Sequence, residues 1–365
     1  MVQRKKVLLG GLTQNPGGKE AFIWQAFQAL RDTYECHFLV DRPNVAFEKA
    51  FIAGGGVFHQ IRARGAHPLG YLWDLFRLFK NNRFELVWMH QTSVNAIEPL
   101  ALALLFNVPK RALHSHSITN MGSRLTEILH HLNRPFVPWI VNYPLACSDA
   151  AGEWFYKSGK FTFVPNFFDI EKFSYFKQKR QDFRAAQGID EQAFVVTHIA
   201  RFGVAKNHEF TIDILDELRK IIPNVLLVYA GDGPKMEKIK GELENRGLIQ
   251  NAKFLGLVKD TNPLYSAADV CILPSTFEGL PYVALESQAA QLPIVLSTNV
   301  AERAVQTPYA QMLSLDAEAA TWAETLIKFA ASRKREEGDN PLRGSNFDSA
   351  LAKDFLAELF SGKAH

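Results

Sequence analysis

The stretch Asp269-Val-Cys-Ile-Leu-Pro-Ser-Thr-Phe-Glu278-Gly-Leu-Pro281-Tyr-Val-Ala-Leu-Glu286-Ser-Gln-Ala-Ala-Gln-Leu-Pro-Ile-Val-Leu-Ser297 sets two glutamates on either side of a Gly-Leu-Pro turn. Its short apolar runs, at 270–273 and 294–296, have the pattern of parallel strands covered on both faces. Pro281 predicts the start of a helix over 281–290, because the donor a proline lacks would go unpaired there anyway. Glu278 therefore stands where a loop leaves the C-terminal end of a strand, the usual ligand crevice of an open α/β sheet. The N–H groups of the helix's first turn add an anion site. Such a spot can hold a phosphate and hydroxyl groups together.

The same rhythm extends outward along the chain. Strand-like segments at 194–199, 225–229 and 252–255 alternate with helical ones at 208–220 and 235–246. Upstream, strands are expected at 6–10, 36–40, 57–61, 85–90, 111–114, 145–147 and 161–164, with helices at 20–31, 70–81 and 95–105. Strands alternating with helices predict parallel sheets joined by right-handed crossovers. A break near Pro165-Asn166-Phe167-Phe168-Asp169 is followed by a charged stretch, 172–184. The expectation is α/β: two Rossmann-like domains facing a cleft, 1–168 and 169–347. The charged run 332–339 reads as a solvated loop, and 348–365 as a C-terminal helix (348–360) returning toward the first domain.

A chain of 365 residues, 47% hydrophobic and 22% charged, is too long for one core and carries no low-complexity tract. The opening residues hold only a short apolar run, which reads as a strand and not as a secretory signal. No run approaches the roughly 20 apolar residues that span a bilayer. Cys36, Cys147 and Cys271 are widely separated and read as small buried hydrophobes of a reducing, cytoplasmic compartment. The net charge of +3 is uneven: residues 1–190 carry 23 Lys/Arg against 15 Asp/Glu (+8), and the remainder 18 against 23 (−5). A basic half joined to an acidic half suggests domains meeting different partners.

Three other loops carry chemistry. Gly17 and Gly18 precede a helix, where glycine lets backbone approach a phosphate; the full spacing of a dinucleotide fingerprint is missing, which argues against NAD. His114 and His116 end a predicted strand. They are expected on opposite sides of it, with at most one facing the cleft, and as a metal pair they lack a Cys or carboxylate at matching spacing. Arg201 and Lys206 lie between a strand and a helix, and a planar fork plus a point charge suits a diphosphate.

Together these loops resemble the retaining glycosyltransferases of family 4, which have the GT-B fold. The resemblance rests on Glu278-x7-Glu286, on Arg201 and Lys206 before Asn207-His208, on Ala230-Gly-Asp-Gly-Pro234, on Phe254-Leu-Gly256 and on Gly17-Gly-Lys-Glu20. Val164-Pro-Asn166 with Asp169 and Phe173 resembles the family's interdomain segment. It covers nearly the whole chain and is strongest over 194–297. Two departures stand out. Glu278 is followed at once by Gly279-Leu280-Pro281 where the common form has Gly-Phe-Gly-Leu-Pro, and Ala200 replaces a frequent Gly. The shorter form is similar to the subgroup that builds capsular or extracellular polysaccharides.

The resemblance implies roles. Arg201 and Lys206 would hold the donor diphosphate, Glu278 with Gly279 and Leu280 the donor sugar, and Glu286 the ribose. Gly256, Leu257 and Val258 would lie near the base, Gly17 and Gly18 near the phosphates, and His116, less directly His114, by the sugar. Neither a cofactor nor a metal is implied, and no nucleic-acid partner. The expected function is retaining transfer of a hexose from a nucleotide diphosphate sugar, UDP-linked by preference, to a saccharide acceptor. A GT-B nucleotide-sugar epimerase and a non-catalytic saccharide-binding partner of another transferase are the alternatives. In the basic half, Leu125, Ile128, Leu129 and Leu132 form a helical stripe beside Arg124, His130, His131 and Arg134, followed by Phe136, Val137, Trp139 and Ile140. The stripe suits a membrane-surface patch for a lipid-linked acceptor, on the inner face of the cell membrane, and equally a buried amphipathic helix.

Overall fold

A computed structural model describes residues 4–120, 122–157 and 159–361. The chain divides into two compact units, Met1–Phe168 with Asn346–His365, and Asp169–Ser345.

The first unit holds seven strands: β1 (Lys5–Gly10), β2 (Tyr34–Val40), β3 (Val57–Gln60), β4 (Phe84–Gln91), β5 (Lys110–Ser115), β6 (Tyr143–Ala146) and β7 (Thr162–Phe163). All pair in parallel, in the order β3-β2-β1-β4-β5-β6-β7. Because side chains alternate along a strand, one row of each strand enters each face. Val7, Leu9 and Trp88 join Phe22 and Phe27 of the helix Gly18–Leu30 on one side. Leu8, Val87 and Met89 join Leu75, Phe79 and Leu100 on the other. The chain end closes the first face: the helix Ala352–Leu359 and Phe360 bury Ala352, Leu356 and the Phe360 ring, which meets Trp88 edge-on at 5.2 Å.

The second unit holds β8 (Phe194–Ile199), β9 (Val225–Ala230), β10 (Ala252–Phe254), β11 (Val270–Leu273), β12 (Ile294–Ser297) and β13 (Ala310–Leu313), ordered β10-β9-β8-β11-β12-β13 and again all parallel. β11 and β12 are buried along their whole length, which is why both read as unbroken apolar runs.

Several segments differ from expectation. The helix predicted at 95–105 spans only Glu98–Leu105, with Pro99 in its first turn. Residues 348–360 split into a 3₁₀ turn capped by Asp348 and then a helix. The charged stretch at 172–184 contains most of a helix, Lys177–Gln187, whose anchor is polar. Its Arg184 is fully buried and donates to the carbonyls of Ala267, Asp190, Glu191 and Ala193 and to Asp269, at 3.0–3.1 Å. Asp269 thus ties the foot of β11 to that helix. The run 332–339 is not simply solvated either. Arg335 donates to the carbonyls of Tyr265, Ser266, Ala268 and Ala290 and lies 4.0 Å over the Tyr175 ring. Desolvation pushes its pKa down to about 9. Charge patterns show where guanidinium groups are; they do not show that buried carbonyls will accept them all.

Candidate active site

In the second unit the chain winds outward from β8 through β9 to β10, and from β11 through β12 to β13 in the opposite direction. Where such an order reverses, the loops leaving the two central strands part and open a crevice beyond the strand ends. Here those strands are β8 and β11. The loop after β8 carries Arg201 and Lys206, and the loop after β11 carries Glu278, Gly279 and Leu280.

These two loops are joined. The Thr276 N–H donates to the Ala205 carbonyl at 2.8 Å, and the Lys206 ammonium pairs with the Glu278 carboxylate. Lys206 ends a single 3₁₀ turn, Val204–Lys206, and Asn207 then turns the chain through a left-handed conformation (φ 53°) into the helix His208–Ile221. Desolvation pushes the Lys206 pKa down to about 8. From the other side the loop after β12 braces Glu278: its N–H donates to the Asn299 carbonyl, and its carbonyl accepts from Ala301, both at 3.3 Å. Arg201 is exposed and forms no ion pair among the described residues.

The motif Ala230-Gly-Asp-Gly-Pro234 supports the Arg201 loop from beneath. Gly231 (φ 148°) passes so close to Ala200 that a Cβ there would lie 2.0 Å from the Ala200 carbonyl oxygen. Its N–H donates to the Gly256 carbonyl at 2.8 Å, which connects the loop after β10 to the same edge. Leu257 is 68% exposed there, and Val258 is half-buried.

Glu286 lies on the helix Tyr282–Ala289, in which Pro281 is the residue just before the helix and not its first member. Tyr265, fully buried, donates to Glu286 at 2.8 Å. Burial raises the Glu286 pKa to about 7, and the tyrosine bond only partly offsets this. The sequence reading missed Tyr265, because its helix, Asn262–Ala267, is too short to show a period.

In the first unit the order reverses between β1 and β4. Gly17 caps the helix that Gly18 begins. Glu20, the last residue of the Gly17-Gly-Lys-Glu20 motif, is buried and accepts from Thr13 N–H (3.2 Å) and Oγ1 (2.8 Å), folding the Gly-Gly loop back on its helix.

The expectation that His114 and His116 face opposite ways is corrected. Residues two apart in a strand share a face, and their ring centroids are 4.1 Å apart. His114 is fully buried between Phe22 and Trp88, so it is a core residue and unsuited to touch a sugar. His116 is partly exposed, and its Nε2 lies 3.0 Å from His90 Nδ1. The three imidazoles bring their ligating nitrogens within 4.8 Å, an arrangement that spacing alone did not show because His90 comes from a neighbouring strand. Desolvation holds all three pKa values below the usual histidine range, that of His114 at about 3. That no metal is needed rests on the family resemblance alone.

Residues 179–338 match the family described as glycosyl transferases group 1. Among curated proteins the chain is similar to EpsF of Bacillus subtilis (strain 168), whose own glycosyltransferase assignment is a proposal. The two are 29% identical over 98% of this chain and 97% of that one. It is also similar to the UDP-Gal:alpha-D-GlcNAc-diphosphoundecaprenol alpha-1,3-galactosyltransferase of Escherichia coli, 24% identical over 62% of this chain and 61% of that one. Among solved structures it resembles Anabaena Alr3699/HepE, crystallised with UDP (TM-score 0.80, 17% identity) and with UDP-glucose (0.79, 18%), in each case over 98% of this chain and 99% of that one. The family match on the second unit and the shared two-sheet architecture give a chain of the GT-B fold whose residues 179–338 form a glycosyl transferases group 1 domain, similar end to end to a relative that bears the same assignment.

Proposed function

We propose that the protein transfers a hexose from a UDP-sugar to a lipid-linked saccharide, with retention of anomeric configuration, during assembly of a capsular, extracellular or other cell-surface glycan. The observation that carries this reading is the Lys206–Glu278 pair at the β8/β11 switch point. It sets a cation fit for a diphosphate against a carboxylate fit for sugar hydroxyls, with Glu286 available for the ribose. UDP is favoured because Alr3699/HepE binds UDP and UDP-glucose. The lipid-linked acceptor is favoured because the E. coli relative acts on a diphosphoundecaprenol saccharide.

Lys206 and Glu278 neutralise each other as an ion pair. On this reading the donor separates them: its diphosphate takes Lys206 and Arg201, and its sugar hydroxyls take Glu278. The bond between the anomeric carbon and the phosphate oxygen then breaks, the acceptor oxygen bonds to that carbon on the same face, and the acceptor proton passes to the departing phosphate. Cationic groups already in place where that negative charge develops lower the barrier, with no metal required. Gly17, Gly18 and His116 enter this scheme through the family resemblance alone.

The reading is tested by thermal unfolding with UDP, GDP and their sugars, followed by NMR of the product. Bound UDP at about 100 times its Kd should add about 2.7 kcal/mol of stability, whereas GDP should add little. A product of inverted configuration would sink the retaining mechanism, and a new nucleotide sugar formed without acceptor would favour an epimerase.

Donor affinity should also depend on pH. Burial pushes the Glu286 pKa up to about 7 and the Lys206 pKa down to about 8. An ionised Glu286 accepts ribose hydroxyls best above the first value, and a charged Lys206 attracts diphosphate best below the second. UDP binding should therefore peak between pH 7 and 8, as a two-group bell does, and isothermal titration should show Glu286→Gln flattening the acid limb alone.

A further inference from the structure

On the helix Arg124–Asn133 three of the four stripe residues face outward and Leu129 is half-buried, so the helix is not the buried amphipathic alternative. Leu125, Ile128 and Leu132 are 52–63% exposed, while the inner side is held by His130, stacked on Trp154 at 4.0 Å, and by Asn133, bonded to the Val94 carbonyl. A 3₁₀ turn, Arg134–Phe136, leads straight into the short helix Val137–Ile140, which leaves Phe136 60% and Trp139 81% exposed. That helix shares one core with the helices Pro68–Asn81 and Glu98–Leu105, through Val137, Leu75 and Leu100. These two helices also turn apolar groups outward: Leu69, Leu72, Trp73 and Phe76 on the first, Leu104 and Leu105 on the second. Eleven of the twenty large hydrophobics exposed among the described residues therefore lie on one helical layer of the first unit. A concentration of this kind marks an interaction surface, not ordinary scatter.

We propose that this layer docks on the surface of an anionic bilayer. Charge selects that partner. Arg77, Lys80 and Arg124 are exposed on the same helices and Arg83 just after the first of them, and a cavity of about 510 Å³ lined by Val137 and Pro138 is rimmed by Arg134, Lys157 and Lys160 with no carboxylate in its lining. Of the acids on these and the adjoining helices, half-buried Asp74 is paired with Arg62 and half-buried Glu98 with Arg64, and only Glu127, Asp149 and Glu153 are exposed beside this set. Cations around an apolar, Trp- and Phe-bearing face suit the boundary between anionic headgroups and acyl chains. No helix among the described residues is long and apolar enough to cross the bilayer, so the contact lies at its surface.

The test is cosedimentation of the full chain with vesicles of phosphatidylcholine alone or mixed with phosphatidylglycerol. No donor or acceptor is present, so the result is independent of the transfer reaction. Binding should require phosphatidylglycerol, weaken with salt, and fall roughly tenfold or more in Leu132→Glu/Trp139→Glu. The thermal midpoint of that variant should not change, since both side chains are exposed. Absence of binding to protein-free vesicles, or binding that the variant retains, would overturn the proposal. So would a dimer in lipid-free sedimentation that the variant dissolves, because the face would then belong to a second copy.

Discussion

Replacing Glu278 by Gln should lower kcat by about 10²–10³-fold, the range for losing one group aimed at the transition state. UDP alone, which has no sugar for Glu278 to hold, should bind at least as tightly as before. The physical reason is the ion pair: on the proposed reading Lys206 is neutralised by Glu278 until a donor separates them. Removing the carboxylate costs the sugar its anchor and frees the ammonium for phosphate. Initial rates with the best-stabilising UDP-sugar, beside calorimetry with UDP, separate these effects. Near wild-type kcat in the variant would remove Glu278 from the reaction.

Lys206→Ala should affect both quantities, weakening UDP binding and lowering kcat by about 10²–10³-fold, because its charge is needed most as the diphosphate departs. Lys206→Arg should restore binding better than turnover, since a planar fork replaces a point charge of different reach. The double variant with Glu278→Gln should lose less than the two single losses multiplied, as groups acting as one unit do. A strictly multiplicative double variant would mean that the pair plays no joint part, and steady-state kinetics on the four proteins would show it.

The fold was largely legible. Val270-Cys-Ile-Leu273 and Ile294-Val-Leu-Ser297 read as strands because a parallel strand covered on both faces must be apolar at every position. Pro281 and the Gly-Leu turn placed the helix start to within one residue. Less was legible where polar groups do the packing. Arg184, Arg335 and Asp269 look solvated in sequence, yet they hold the base of the second sheet through carbonyls far along the chain.

For the candidate site, residue type and spacing singled out Arg201, Lys206, Glu278 and Glu286, because few uncharged side chains suit a diphosphate and a set of hydroxyls. Residue order alone could not say that Lys206 and Glu278 would meet. That depends on β8 and β11 being neighbours at the point where strand order reverses, which is a property of the sheet. Tyr265 behind Glu286 and His90 beside His116 were hidden for the same reason: each comes from another element. The stripe on the helix Arg124–Asn133 makes the clearest division. A helical period shows that an apolar face exists, whether it meets a core or a lipid surface, because both reward the same spacing. Which of the two it meets follows from the side on which the sheet lies, and that was settled when His130 and Asn133 turned inward and left Leu125, Ile128 and Leu132 facing out.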